Sequence, residues 1–421
     1  MLSFGQARRM SALKIEIDPA EAGFSPERLA RIDRHFEGYV EQKKLAGWHI
    51  ALSRRGQLVH SSTTGHRDIA ADLPFTDDTL VRMFSMTKPI TSVAAMMLYE
   101  EGLLELKSPI SKWLPEFANT RVYRSGSHLA PVTDPLVEPI RVWHLLTHTS
   151  GLTYGFHNTH VTDAIYRRRG FEWGNPPGVD LAECCALWAD MPLAFQPGTE
   201  WNYGVSTDVL GRLVEVVSGM TLDEFFRTRI LEPLGMSDTD FHVHDDAIDR
   251  FATLYVRNPA TGEAVPAPDA LGRISTSKPT VLGGGGGLVG TAGDYLRFAH
   301  MLLNKGELDG VRLLGSRTVD YMTRNHLPGG ADLEQFARPL FAETSFDGMG
   351  FGLGFSVVLD AAENKVMRSE GEYSWGGAAS TIFWVDPVNE IVALFLTQML
   401  PSSTYPIRSQ LNQLVQQALI D

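Results

Sequence analysis

Strand patterns stand near the two ends of this chain, and a long run of helical patterns lies between them. Trp48 to Ser53 and Gln57 to Ser62 read as two strands joined at Arg54-Arg55-Gly56. Phe355 to Leu359, Thr381 to Val385 and Ile391 to Leu396 read as further strands, the last two joined across Asp386-Pro387-Val388-Asn389. A lone hairpin is marginal in water. The simplest assembly therefore puts both ends of the chain into one sheet domain, residues 1–105 and 281–421, with 106–280 inserted as a mainly helical domain. Within the inserted region, 103–140 reads as loops and short helices. Thr207 opens a helix with Val209, Leu210, Leu213 and Val216 on one face and Gly219 at its end. Further helices are expected from Ser25-Pro26 onward and over Ile407 to Val415.

Size and charge narrow the function. The chain has 421 residues, 43% of them apolar, enough for a full core. Its net charge of −13 argues against nucleic-acid binding, because phosphate recognition needs a basic surface. It also gives no attraction to anionic lipid, and no apolar run approaches a membrane span. Arg8-Arg9 is followed by Lys14, Glu16, Asp18 and Glu21 where an export signal would be apolar, so a cytoplasmic protein is expected. The adjacent Cys184 and Cys185 fall on an apolar helix face with Leu181 and Trp188, as buried thiols do. His157-x-x-His160 lacks a third ligand at helical spacing, so no metal is expected. The five glycines Gly283 to Gly287 lack the Gly-Lys-Ser/Thr of a phosphate loop and read as a tightly packed or flexible turn.

Chemistry enters at Met83-Phe84-Ser85-Met86-Thr87-Lys88-Pro89-Ile90. Ile90, Val93, Ala94, Met97 and Leu98 form one helical stripe, which places Ser85 and Lys88 one turn apart near a helix N-terminus. A Ser hydroxyl beside a Lys amine makes a nucleophile and a base, and free N–H groups there meet a developing oxyanion. Ser-x-x-Lys alone is also compatible with a capped helix carrying a solvated Lys. His148 reads as a structural residue, because Thr147, Thr149 and Ser150 around a turn commonly bond to backbone.

Several motifs together resemble the serine β-lactamase-like superfamily, closest to the class C β-lactamase-like (family VIII) carboxylesterases. They are Phe84 to Lys88, Leu145 to Leu152, Pro197-Gly198 before Tyr203, and Gly285-Gly286-Gly287-Leu288 before Asp294. The resemblance implies a β-lactamase/penicillin-binding-protein-like α+β fold, with an antiparallel sheet flanked by helices plus a mainly helical domain and the active site between the two. It makes Ser85 the nucleophile, Lys88 its base and Tyr203 the tyrosine of the second motif. Trp375-Gly376-Gly377 stands where relatives carry Lys-Thr-Gly or His-Thr-Gly, and the backbone N–H groups of Ser85 and Ala378 become the oxyanion hole.

Two departures from the lactamases bear on substrate. The second motif is Tyr203-Gly204-Val205 rather than Tyr-x-Asn, so Val205 offers no side-chain amide. Trp375 offers no charge to a β-lactam carboxylate and suits an uncharged acyl or alcohol group instead. The expected function is a serine carboxylesterase acting on small, short-chain esters without a cofactor. Acyl transfer to a bulky alcohol, weak β-lactam hydrolysis and a non-catalytic binding role on the same fold are the alternatives.

Overall fold

A computed structural model describes residues 13–268, 271 and 275–420. Arg8 and Arg9 lie outside the described residues. Ser25 caps α1 (Pro26–Glu41), and Leu29, Ile32 and Phe36 form its buried stripe. β1 (Gly47–Arg54) and β2 (Gln57–Asp68) follow as a hairpin, with Arg55 and Gly56 at φ 53° and 76° in its two-residue turn. Next come β3 (Leu73–Pro74), β4 (Val81–Arg82) and α2 (Thr87–Glu100).

The stretch expected to hold only loops and short helices contains a hairpin, β5 (Arg121–Ser127) and β6 (Ala130–Pro135). It lies on the surface with Val122 alone fully buried, so no apolar alternation marks it in the sequence. The helices α3 (Val142–Leu146), α4 (Leu181–Asp190), α5 (Ser206–Ser218) and α6 (Leu222–Phe226) follow. Cys184 and Cys185 are buried free thiols on α4. Two short strands, β7 (Tyr255–Arg257) and β8 (Ala264–Pro266), also depart from the helical expectation for 103–280. Then come β9 (Val289–Gly290), α7 (Ala292–Leu303), β10 (Glu307–Leu308) and β11 (Val311–Arg312). The chain ends with β12 (Met349–Phe351), β13 (Ser356–Val358), β14 (Tyr373–Gly377), β15 (Thr381–Asp386), β16 (Ile391–Thr397), β17 (Met399–Leu400) and α8 (Ile407–Gln416).

The main sheet has eight strands in the order β12-β13-β14-β15-β16-β1-β2-β3, antiparallel throughout. The N-terminal hairpin thus docks on the C-terminal strands, with Ile50 opposite Phe395. On one face α1 and α8 bury Phe36, Trp48, Phe395 and Leu411. The other face carries the larger core, to which α2, α5 and α7 contribute. β4 pairs with β9, which ties the entry of α2 to the end of the glycine run. β7 pairs with β8 and with β17, so residues 255–266 join the C-terminal strands. Among the described residues no helix is long and apolar enough to cross a membrane.

The spacing on α2 suggested a single apolar stripe. The structure buries it on every side, from Thr87 to Leu98 without a break. A helix closed in all round must bury its polar side chains too. Lys88 is therefore only 1% exposed. That burial prepares the chemistry.

Candidate active site

Ser85 sits on a single 3₁₀ turn, Phe84–Met86, immediately before α2. Phe84 has φ 46°, a left-handed conformation that a bulky side chain rarely adopts. Several bonds hold the turn in this shape. Met83 N–H donates to Leu288 O at 2.9 Å, Leu288 N–H donates to Thr87 Oγ1 at 3.1 Å, and Tyr295 Oη donates to Met86 O at 2.8 Å.

Lys88 Nζ lies 3.3 Å from Ser85 Oγ. The Tyr203 hydroxyl donates to the same oxygen at 2.6 Å. The three side chains named from the sequence thus meet at one atom. Burial lowers the Lys88 ammonium pKa to about 8, against the raising influence of the Asp208 and Glu343 carboxylates. Burial also raises the Tyr203 phenol well above 10 and keeps it protonated at neutral pH.

Three partners of this centre were not legible as such in the sequence. The Lys88 ammonium donates to the Tyr154 hydroxyl at 2.9 Å and to Gly285 O at 2.6 Å. Gly285 N–H in turn donates to Asp208 Oδ1 at 2.9 Å. The glycine run is therefore a packed loop that touches Lys88 directly. Its composition follows from contact, not from positive φ. A Cβ on Gly285 would lie 2.4 Å from Asp208 Oδ2, and one on Gly284 would lie 2.9 Å from Thr207 O.

Tyr203 is positioned by its backbone and its ring. His157 Nε2 lies 2.7 Å from Tyr203 O, and Asn202 N–H donates to His148 O at 2.9 Å. Gly204 packs so closely on Leu152 and Thr153 that a Cβ would lie 2.4 Å from Leu152 O. Trp201, His148, Tyr154 and Trp375 surround the ring. His148 makes no hydrogen bond to Ser85, Lys88 or Tyr203. Burial and the nearby Lys88 charge hold its imidazole far below its ordinary pKa, so it is a neutral wall residue. His157 and His160 are likewise engaged locally, His160 with Thr162. Val205 is buried at the N-cap of α5, with no polar group to offer where an Asn would stand.

Trp375-Gly376-Gly377 forms the end of β14. Trp375 is fully buried, edge-on to Tyr203 and Phe351 at 5.4 and 5.3 Å. Its indole N–H inclines toward the Tyr203 hydroxyl but closes no hydrogen bond of good geometry. Gly377 lies against the turn that carries Ser85, where a Cβ would be 2.3 Å from Met83 O. Gly376 lies against Arg408 at the same close range. Arg408 forms an ion pair with the buried Glu343 and donates to Gly377 O at 3.1 Å. It thereby touches the peptide whose N–H belongs to Ala378. Ala378 lies half-buried in the turn after β14, and among the described residues no acceptor takes its N–H or that of Ser85.

Two apolar features complete the surroundings. Tyr154 stacks on Phe156 at 4.8 Å, and Phe156 stacks on Trp173 at 5.2 Å, an aromatic ladder ending at a tryptophan that is 65% exposed. A separate cavity of about 680 Å³ lies on the α8 face of the sheet, lined by Ser374, Trp384, Arg408 and Asn412 among others. Neither Ser85, Lys88 nor Tyr203 lines it.

A match to the Beta-lactamase family spans residues 32–417. The chain belongs to the beta-lactamase family. Its relatives include a Mycobacterium tuberculosis protein, 37% identical over 85% of this chain and 86% of that one. Esterase EstB of Burkholderia gladioli is 31% identical over 90% of this chain and 93% of its own length. Among solved structures, EstCE1, described as a hydrolase with promiscuous acyltransferase activity, superposes with a TM-score of 0.77 at 26% identity. That match covers 94% of this chain and 99% of EstCE1. The beta-lactamase fold foreseen from the motif order is the fold observed.

Proposed function

We propose that this beta-lactamase-family protein is a serine carboxylesterase acting through an acyl-enzyme on Ser85. The observation that carries the reading is the convergence of Lys88 and Tyr203 on Ser85 Oγ, at 3.3 and 2.6 Å. In its neutral form Lys88 accepts the Ser85 proton as Oγ attacks the ester carbonyl. The tetrahedral oxyanion is met by the N–H groups of Ser85 and Ala378. Arg408 polarises the Gly377–Ala378 peptide from its carbonyl side and so strengthens the Ala378 donor. Tyr203 passes its proton to the departing alkoxide and regains one from Lys88. Water then repeats the attack on the acyl-enzyme and frees the acid.

The preference for uncharged, short-chain esters over lactams rests on Trp375 and Val205. A β-lactam brings a carboxylate that requires a cation. Trp375 supplies an apolar ring at that position, and the neighbouring Arg408 is already paired with Glu343. Hydrolysis by EstB supports the same chemistry. Acyl transfer is the second reading, favoured by the activity ascribed to EstCE1 and by the aromatic ladder leading to Tyr154, a surface suited to a bulky apolar alcohol.

A fluorophosphonate reagent followed by peptide mass mapping tests the assignment. Stoichiometric modification of Ser85, abolished in Ser85→Ala, is the expected result. A chain left unmodified would be a binding protein and not an enzyme. Adding a primary alcohol during ester turnover separates water from alcohol as acceptor through the products formed.

A further inference from the structure

Away from the reacting centre, Asp240, His242 and His244 bring three ligand atoms within 4.8 Å of one another. We infer that Asp240, His242 and His244 form a site for one divalent transition-metal ion of the zinc type. His244 Nε2 lies 3.0 Å from Asp240 Oδ2, and His242 Nδ1 lies 3.9 Å from the same oxygen. One ion at about 2.0–2.2 Å from each atom fits that spacing after small side-chain rotations. Two imidazoles and a carboxylate suit Zn²⁺ and its first-row neighbours, and not the all-oxygen shells of Mg²⁺ or Ca²⁺.

His242 carries the inference furthest. Its Nδ1 is buried and has no hydrogen-bond partner among the described residues. A buried orphan nitrogen is costly, and a bound ion is one of the few things that satisfies it. The segment is also held ready. Phe241 and Val243, the alternate residues, are each 2% exposed; Phe241 stacks on Phe226 at 5.6 Å. Backbone bonds pin both ends: Asp240 exchanges two with Val289, at 3.2 and 2.8 Å, and Val243 N–H donates to Ser275 O at 2.6 Å. With the apolar residues anchored, the three polar ones are left grouped. Lys278, whose charge Asp240 also feels, is engaged by Asp223. The ion would stiffen this segment, which is already tied to β9, the strand that follows the glycine run, through the backbone of Asp240. The site stands apart from the reaction, because none of its ligands belongs to the Ser85 centre.

The chelator-stripped full chain should be titrated with Co²⁺, read by visible ligand-field absorption, and with Zn²⁺ by calorimetry. One ion per chain is expected, with a rise in melting temperature on saturation. His242→Ala and His244→Ala should each weaken binding at least about tenfold and abolish that rise. His244 is 61% exposed, so its variant should fold, and unchanged ester hydrolysis checks this for both variants. No uptake by the intact chain, uptake that survives both substitutions, or equal affinity for Mg²⁺ or Ca²⁺ would overturn the site.

Discussion

Lys88 shows at the residue scale how burial becomes reactivity. An exposed lysine near pKa about 10.4 is a poor base at pH 7. Enclosed in α2, its ammonium is pushed down by burial to about 8, even though it donates to Tyr154 and Gly285. Lys88→Arg should cut kcat at least about 100-fold with folding intact, since a guanidinium stays protonated; a steady-state assay that finds substantial turnover would remove Lys88 as base. Asp208 acts on the same amine through its charge, which raises the Lys88 pKa. Asp208→Asn keeps an acceptor for Gly285 N–H and removes only that charge. The acid limb of the kcat/KM profile, which rises as Lys88 loses its proton, should then move to lower pH. An unmoved limb would mean that Asp208 only holds the loop. Ser85 and Lys88 were visible from their spacing, and Tyr203 from motif order. Tyr154 was not, because its hydroxyl reaches Lys88 across 66 positions and no local pattern marks that contact.

Elements were legible where one face is apolar and hidden where both sides are filled or open. α1, α5 and α8 kept their periodic stripes, and β1 and β2 their turn. β14 was not read as a strand, because Tyr-Ser-Trp-Gly-Gly loses its alternation to two glycines. Those glycines are explained by contact: Gly376 admits Arg408, and Gly377 admits the Met83 carbonyl beside the Ser85 turn. The five-glycine run is the same case, since its meaning lies in Asp208 and Thr207, which pack against it. Gly377→Ala forces a Cβ to within 2.3 Å of Met83 O, which is backbone and cannot swing aside. Turnover should fall about 10- to 100-fold through kcat, with KM little changed, as loss of an oxyanion donor predicts. A fall confined to KM would place Gly377 in substrate binding alone.

On the scale of the whole molecule, both ends of the chain meet in one sheet, and the active centre lies where β14, the entry of α2, the Tyr203 segment and the glycine run converge. Such a centre costs stability. Between about pH 8 and pH 10.5 the unfolded chain keeps a proton on Lys88 that the native state has released. Stability should therefore rise with pH across that window. Lys88→Met removes the rise and should stabilise the fold at pH 7 by about 1–2 kcal/mol, part of the gain being offset by orphaning Gly285 O. Urea melts at pH 7 and pH 9.5 check this; a destabilised Met variant would mean the lysine's hydrogen bonds outweigh its burial.

The central claim is that the Ser85 centre serves uncharged esters and not lactams. Parallel hydrolysis of a p-nitrophenyl short-chain ester and a chromogenic cephalosporin, with Ser85→Ala as control, tests it most directly. Rapid ester turnover, little cephalosporin turnover and a dead variant are predicted. A cephalosporin hydrolysed in preference to the ester would contradict the roles given to Trp375 and Val205 and make the enzyme a lactamase.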